Sequence, residues 1–244
     1  MLRNLEQGTG QVQRQEGSIH LLRQAATKKQ YINAQVDDYS EQFLHQAPLR
    51  MRLTARFSHS IDRLKGTAGF GFWNAPFTPG NYRFRFPKTA WFFFGSPPLN
   101  IALAKDVPGY GWKAATMDAT QWPFFALLPT APIGFLLMRL PIFYRYVWPI
   151  GQRAIKVSEA SLNQMDITQW HTYQIDWLQE KVSFWVNEQV VHTSPYSPTG
   201  KMGFVAWIDN QYAVVTPQGN FGWGLVEEAS PQWLEIQDFE IRSQ

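Results

Sequence analysis

The chain contains no cysteine, which excludes disulfide staples and thiolate metal sites. Charge is scarce: 17% of residues are Asp, Glu, Lys or Arg, and the formal net charge is +3. That balance is too small to point to nucleic acid. Lys28-Lys29 is an isolated basic pair, and no basic face is interleaved with aromatic residues. The opening MLRNLEQGTGQVQRQ lacks the apolar stretch of a secretory signal, so a cytoplasmic protein is expected. The five histidines, at 20, 45, 59, 171 and 192, show no H-x-H or H-x-x-x-H spacing, so zinc is poorly supported. No internal repeat is visible. One further absence matters more than these: from Arg63 to Lys105 there is neither Asp nor Glu.

Apolar residues, by contrast, are abundant, at 45% of the chain with 16% aromatic. Trp91, Phe92, Phe93 and Phe94 stand consecutively before Gly95-Ser96-Pro97-Pro98, a run that needs cover on both sides. LRMRLTARFSHS alternates with period two: Met51, Leu53, Ala55 and Phe57 fall on one face, and Arg50, Arg52, Thr54 and Arg56 on the other. In TAGFGFWN, Gly69 and Gly71 alternate with Phe70 and Phe72, a sign of close approach by another backbone or a ligand. YQIDWL, VSFWVN, QVVHTS, MGFVAWID and WLEIQDFEI read as further short strands, with Asn187-Glu188 as a hairpin turn. Many closely spaced strands without βαβ alternation predict an all-β fold, an antiparallel two-sheet jelly-roll sandwich. Residues 1–16 read as a polar lead-in and 17–244 as a single β-sandwich domain.

A hydrophobic insertion over about 120–165 interrupts the strand pattern. No residue from Ala119 to Met138 is charged, and the length approaches a membrane span. Pro123, Pro129, Pro132 and Pro141 break it, and Arg139 and Arg145 interrupt its far end, which argues against a transmembrane helix. RAIKVSEASLNQM is its one convincing helical piece. The remaining readings are a lid over a cleft, a membrane-surface contact through 120–150, or plain core packing.

WHTYQIDWLQEKVSFWVNEQVVHTS, residues 170–194, resembles a block of the concanavalin A-like lectin/glucanase superfamily. It is most similar to the laminarinase/lichenase group of family 16 glycoside hydrolases. Trp170, His171, Thr172, Tyr173, Ile175, Asp176 and Trp177 match that block in order. LRMRLTARFSH…GTAGFGFW and the closing WLEIQDFEI resemble the group's flanking strands. The resemblance implies a concanavalin A-like jelly roll with a concave cleft, His171 as scaffold, and a structural calcium at Asp238. It also exposes a departure. The group's E-x-D-x-x-E signature belongs on the strand that here reads AWFFFGSPP, and the surrounding segment has no acid. Retaining glycoside hydrolysis needs two carboxyl groups about 5 Å apart, so that chemistry is not expected.

With the cleft kept, Trp73, Asn74, Trp91, Phe93, Trp112 and Trp207 are its candidate walls, and Asn210 and Gln211 its polar contacts. Asp209 beside Trp207 is the candidate general acid or base, with Lys113 and Asp118 as further titratable candidates. Asp37-Asp38 reads as a strand-end turn. The leading expectation is a binding protein or enzyme for a hydrophobic or amphiphilic small molecule, extending to an acid/base-assisted cyclisation or isomerisation. The alternatives are a non-catalytic carbohydrate-binding module and a peripheral membrane protein. No cofactor other than calcium is expected.

Overall fold

The computed structural model describes residues 2–39, 42–76 and 85–244. In chain order the first strands are β1 (Arg3–Gln7), β2 (Gly10–Gln15), β3 (Ser18–Arg23), β4 (Asn33–Asp37), β5 (Leu49–Phe57) and β6 (Thr67–Trp73). Then come β7 (Lys88–Gly95), β8 (Asn100–Ile101) and β9 (Gly111–Asp118). Helices α1 (Trp122–Leu127), α2 (Ala131–Leu137) and α3 (Pro141–Ala154) follow, and after them β10 (Ser158–Ser161), β11 (His171–Trp177), β12 (Val182–Val186) and β13 (Gln189–Ser194). The chain closes with β14 (Gly203–Asp209), β15 (Gln211–Val215), β16 (Phe221–Leu225) and β17 (Gln232–Ser243).

These strands form the expected antiparallel sandwich. The first seven-stranded sheet has the order β1-β4-β14-β6-β7-β9-β10, and the second β13-β12-β11-β5-β17-β3-β2. A small sheet, β16-β15-β8, contains a parallel pair, β15 with β8. The residues of the polar lead-in are paired: β1 and β2 are edge strands, one in each large sheet. Asn187 and Glu188 both take positive φ, 47° and 67°, which matches the twist a two-residue hairpin demands.

Alternation drives the packing. Met51, Leu53, Ala55 and Phe57 of β5 point into the core between the sheets, as do Phe92 and Phe94 of β7, all essentially inaccessible to water. Phe92 is ringed by Phe70, Trp112, Tyr173 and Phe184, with centroids 5.0–5.9 Å apart. Trp112 is therefore a correction: it fills the inter-sheet core, fully buried, and is not a cleft wall. Its register explains this. Trp112 sits opposite Phe94 across β7 and β9, so it shares the inward face of that pair.

The insertion departs from its expected layout. RAIKVSEASLNQM is not the helical piece: Arg153 and Ala154 end α3, and Ser158–Ser161 is β10, paired with the edge of β9. The helices lie earlier, and the prolines read as breakers start them, because a first-turn residue has no intrahelical N–H bond to lose. No helix among the described residues is long and apolar enough to cross a membrane.

Candidate functional site

The outer face of the first sheet carries the aromatic residues that alternation sends away from the core. Trp207 on β14, Trp73 on β6, and Trp91 and Phe93 on β7 form one connected cluster. Trp73 and Trp207 are nearly parallel at 6.4 Å, Trp91 lies 5.3 Å from both Phe93 and Trp207, and Phe93 lies 6.0 Å from Trp207. Trp207 is buried; the other three are half-buried. The glycines of β6 make room for them. A Cβ on Gly69 would come within 2.3 Å of the Phe92 carbonyl and 3.1 Å of the Trp207 ring, and one on Gly71 within 2.7 Å of Trp91 Cβ. Gly71 also has a φ of 145°, which L side chains rarely adopt.

Polar groups flank this cluster on three sides. Toward β1 and β4, the Arg3 guanidinium donates to both oxygens of Asp37, and Gln35 Nε2 donates to Asp37 Oδ2 and to the Tyr39 hydroxyl. Trp73 Nε1 donates to that same hydroxyl at 2.9 Å. Burial, then the Asp37 charge, push the Tyr39 phenol well above its usual range. Asp37 is thus part of the site's edge and not simply a turn residue, which corrects the reading of Asp37-Asp38. Asp38 does anchor chain, accepting from Phe204 N and pairing with His45 Nε2.

Toward β9 and β10, Lys113 Nζ meets Glu159 Oε2 at 2.9 Å, with both side chains buried. Burial raises the Glu159 pKa and Lys113 opposes that rise. Lys113 stands opposite Phe93 in register and so borders the aromatic cluster, as one half of an ion pair. Glu159 was missed in the sequence because its segment reads as helix, which hides a period-two position.

At the β14 end lies Asp209. It is buried, and accepts from Thr67 N, Thr67 Oγ1 and Gln211 N at Oδ1 and from the Tyr31 hydroxyl at Oδ2. Thr67 Oγ1 in turn accepts from Trp207 Nε1 at 2.9 Å. Burial pushes the Asp209 carboxyl up to about 6, against the lowering effect of those hydrogen bonds. With four donors engaged, the carboxylate fastens strand ends and fixes the Trp207 ring.

Other candidates fall elsewhere. Asn74 is buried and bridges Phe86 O and Lys88 N; residues 77–84 lie outside the described residues. Asn210 ties Ile32 N to the carbonyls of Thr27 and Gln30, and Gln211 is exposed. Asn210 is therefore a scaffold position, while Gln211 contributes its backbone N–H to Asp209. Asp118 gathers Thr120, Gln121 and Thr199 at the end of β9, apart from the aromatic cluster. Asp238 has a positive φ at the bulge of β17, and no group of three metal-ligating acids or histidines exists among the described residues. His171 bonds Asp166 O and the Asn187 amide, a scaffold role.

The outer-face positions of β6 and β7 carry Thr67, Gly69, Gly71, Trp73, Thr89, Trp91, Phe93 and Gly95, and no acid. Around them three polar atoms, Thr89 Oγ1, Asn33 Oδ1 and Gln7 Oε1, are buried without a partner among the described residues. Thr89 stands opposite Trp73, and Gln7 opposite Asn33. The arrangement can stack on a flat or apolar body and accept a few directed hydrogen bonds.

No family model matches the sequence, and no curated protein matches it. Solved structures do match by shape. A GlcNAcα1-4Gal-releasing endo-β-galactosidase from Clostridium perfringens superposes with a TM-score of 0.54 at 10% identity, covering 97% of this chain and 57% of that one. An endo-acting O-glycanase of the human gut microbiota gives 0.51 at 12% identity, over 95% and 80% of the two chains. The endo-β-1,4-glucuronan lyase of Trichoderma reesei gives 0.50 at 10% identity, over 99% and 90%. At such identities the likeness establishes the fold alone: the chain is a two-sheet jelly-roll sandwich with the architecture of these three enzymes.

Proposed function

We propose that the outer face of the first sheet binds an amphiphilic small molecule, stacking its apolar or ring-bearing body on Trp73, Trp91 and Phe93. The observation that carries this reading is the partial exposure of those three rings in the middle of a seven-stranded sheet. The inward aromatic residues of that sheet, Phe70, Phe72, Phe92, Phe94, Trp112 and Phe204, are sealed in the core. Hydrolysis of the retaining glycosidase type forms no part of the proposal, since β6 and β7 offer no carboxylate pair. Nor does cyclisation or isomerisation driven by Asp209, whose acceptor positions are engaged within the fold.

A second reading, a lectin-like site for a glycan, is favoured by the kinship of fold with glycan-acting proteins. The two are separated by isothermal titration of the purified protein against a single-chain amphiphile series and against a glycan array. The amphiphile reading expects saturable binding that Trp91→Ala and Phe93→Ala abolish while circular dichroism shows the fold retained. Glycan signal with the same loss in these variants, and no amphiphile binding, would transfer the site to the second reading. Binding unchanged by either substitution would remove the face from both.

A further inference from the structure

The helical insertion presents its apolar side to water. On α3 the stripe at Ile142, Tyr146 and Ile150 faces outward, three residues spaced by four and each more than half exposed. A helix lying on a water-soluble protein turns the opposite stripe outward. α1 and α2 contain no buried residue at all, and Trp122 is 77% exposed.

A second, distant segment extends the same surface. Phe135 of α2 packs against Phe221 of β16 at 5.4 Å, and Arg139 Nε reaches the Gln218 carbonyl in the β15–β16 turn. From that hairpin Phe221 and Trp223 project, Trp223 being 82% exposed. Apart from Leu44, Tyr110 and Val190, every large exposed apolar side chain among the described residues belongs to the insertion or to β16. A soluble surface rarely concentrates them so.

Within the insertion itself the charges have one sign; Asp106, 80% exposed and near Tyr144 of α3, lies outside it. From Ala119 to Ser158 there is no Asp or Glu, while Arg139, Arg145 and Arg153 are exposed. An apolar stripe rimmed by arginines, in helices too short to span a bilayer, matches the interfacial mode of membrane binding. A protein partner would have to offer a matching apolar groove; an anionic lipid surface supplies both the apolar depth and the negative charge without one.

We propose that α1–α3 and the β15–β16 hairpin together dock the protein onto an anionic membrane surface. The apolar side chains enter the headgroup–acyl boundary, and Arg139, Arg145 and Arg153 meet lipid phosphates. This inference is independent of the ligand reading of the aromatic face, because none of its residues belongs to that cluster.

The test is flotation of the full chain with vesicles of phosphatidylcholine containing phosphatidylglycerol, beside vesicles of phosphatidylcholine alone. The protein should float with the anionic vesicles, and less so as NaCl is raised. Phe221→Ser/Trp223→Ser and, separately, Ile142→Ser/Ile150→Ser should each abolish flotation. Arg145→Gln should weaken it by about fivefold on anionic vesicles. These side chains are exposed, so melting temperatures should hold. Failure of the unaltered protein to float overturns the inference without recourse to any variant, as does flotation indifferent to all these substitutions. A dimer in sedimentation velocity that the same substitutions dissociate, without vesicle binding, would assign the surface to a second copy instead.

Discussion

The two large sheets have seven strands each, yet their outer faces obey different rules. On the second sheet the outer side chains of β5 are Arg50, Arg52, Thr54 and Arg56. Arg50 pairs with Asp176 at 2.6 Å and Arg56 with Glu235 at 2.8 Å. Arg56 also lies over the rings of Trp170 and Trp233, at 4.5 and 5.3 Å. This is the ordinary solution for an antiparallel sheet with one wet face. On the first sheet the corresponding positions carry tryptophan and phenylalanine, and the charges retreat to the margins, where Lys113–Glu159 and Arg3–Asp37 have buried carboxylates. A departure from the local rule without a packing need is where function is to be sought. A shallow cavity of about 180 Å3, lined by Arg52, Thr172, Gln174, Trp185 and Glu188, does exist on the second sheet, but its floor is polar and it holds no aromatic cluster.

The sharpest way to break this comparison is within β7 itself. Phe92→Ala should cost about 3–5 kcal/mol in urea unfolding, because its cavity opens between packed rings. Trp91→Ala, one residue away, should cost about 1–2 kcal/mol, since that ring is only partly buried. Equal losses would mean that the outer cluster is a second core and not a site.

Lys113→Met tests the margin. It leaves Glu159 buried without its cation and should destabilise by about 3–5 kcal/mol, whereas Lys113→Met with Glu159→Leu should recover most of that. Additive losses in the double variant would show that the pair does not act as a unit.

Asp209 should reverse the usual acid behaviour of carboxylates. Its folded pKa, about 6, lies above the ordinary 3.8, so the folded state holds the extra proton between these values. Stability from this group is complete below pH 3.8 and is lost as pH rises through about 6, amounting to roughly 3 kcal/mol. Asp209→Asn should erase that component of the stability–pH curve. A difference curve flat across this window would contradict the assignment. The smallest effect belongs to the second sheet: with Arg50 44% exposed, Arg50→Ala should change unfolding free energy by about 1 kcal/mol or less, and less still in salt.

Much of the fold was legible because strands advertise their faces locally. Period-two alternation in LRMRLTARF, the glycines of TAGFGFW and the turn at Asn187-Glu188 each report backbone geometry within a few residues. The same alternation separated Phe92 and Phe94 from Trp91 and Phe93. It failed at Trp112, since a strand entered from an irregular loop offers no fixed starting phase; only its pairing with β7 supplies one. The insertion was misread for a related reason. Proline signals a helix start as readily as a break, and SEAS becomes a strand through its pairing with β9.

By itself, then, the sequence determined the sandwich, the inward rings, and the absence of any Asp or Glu from Arg63 to Lys105. These depend on residue type and short-range periodicity. The tertiary structure alone decided that Glu159 meets Lys113, that Asp37 borders Trp73 through Tyr39, that Asp209 is tied up by Thr67 and Tyr31, and that the hairpin at Phe221 joins the helices. Each of these joins residues far apart in the chain, and the register of long-range strand pairing, which no local pattern encodes, brings them together.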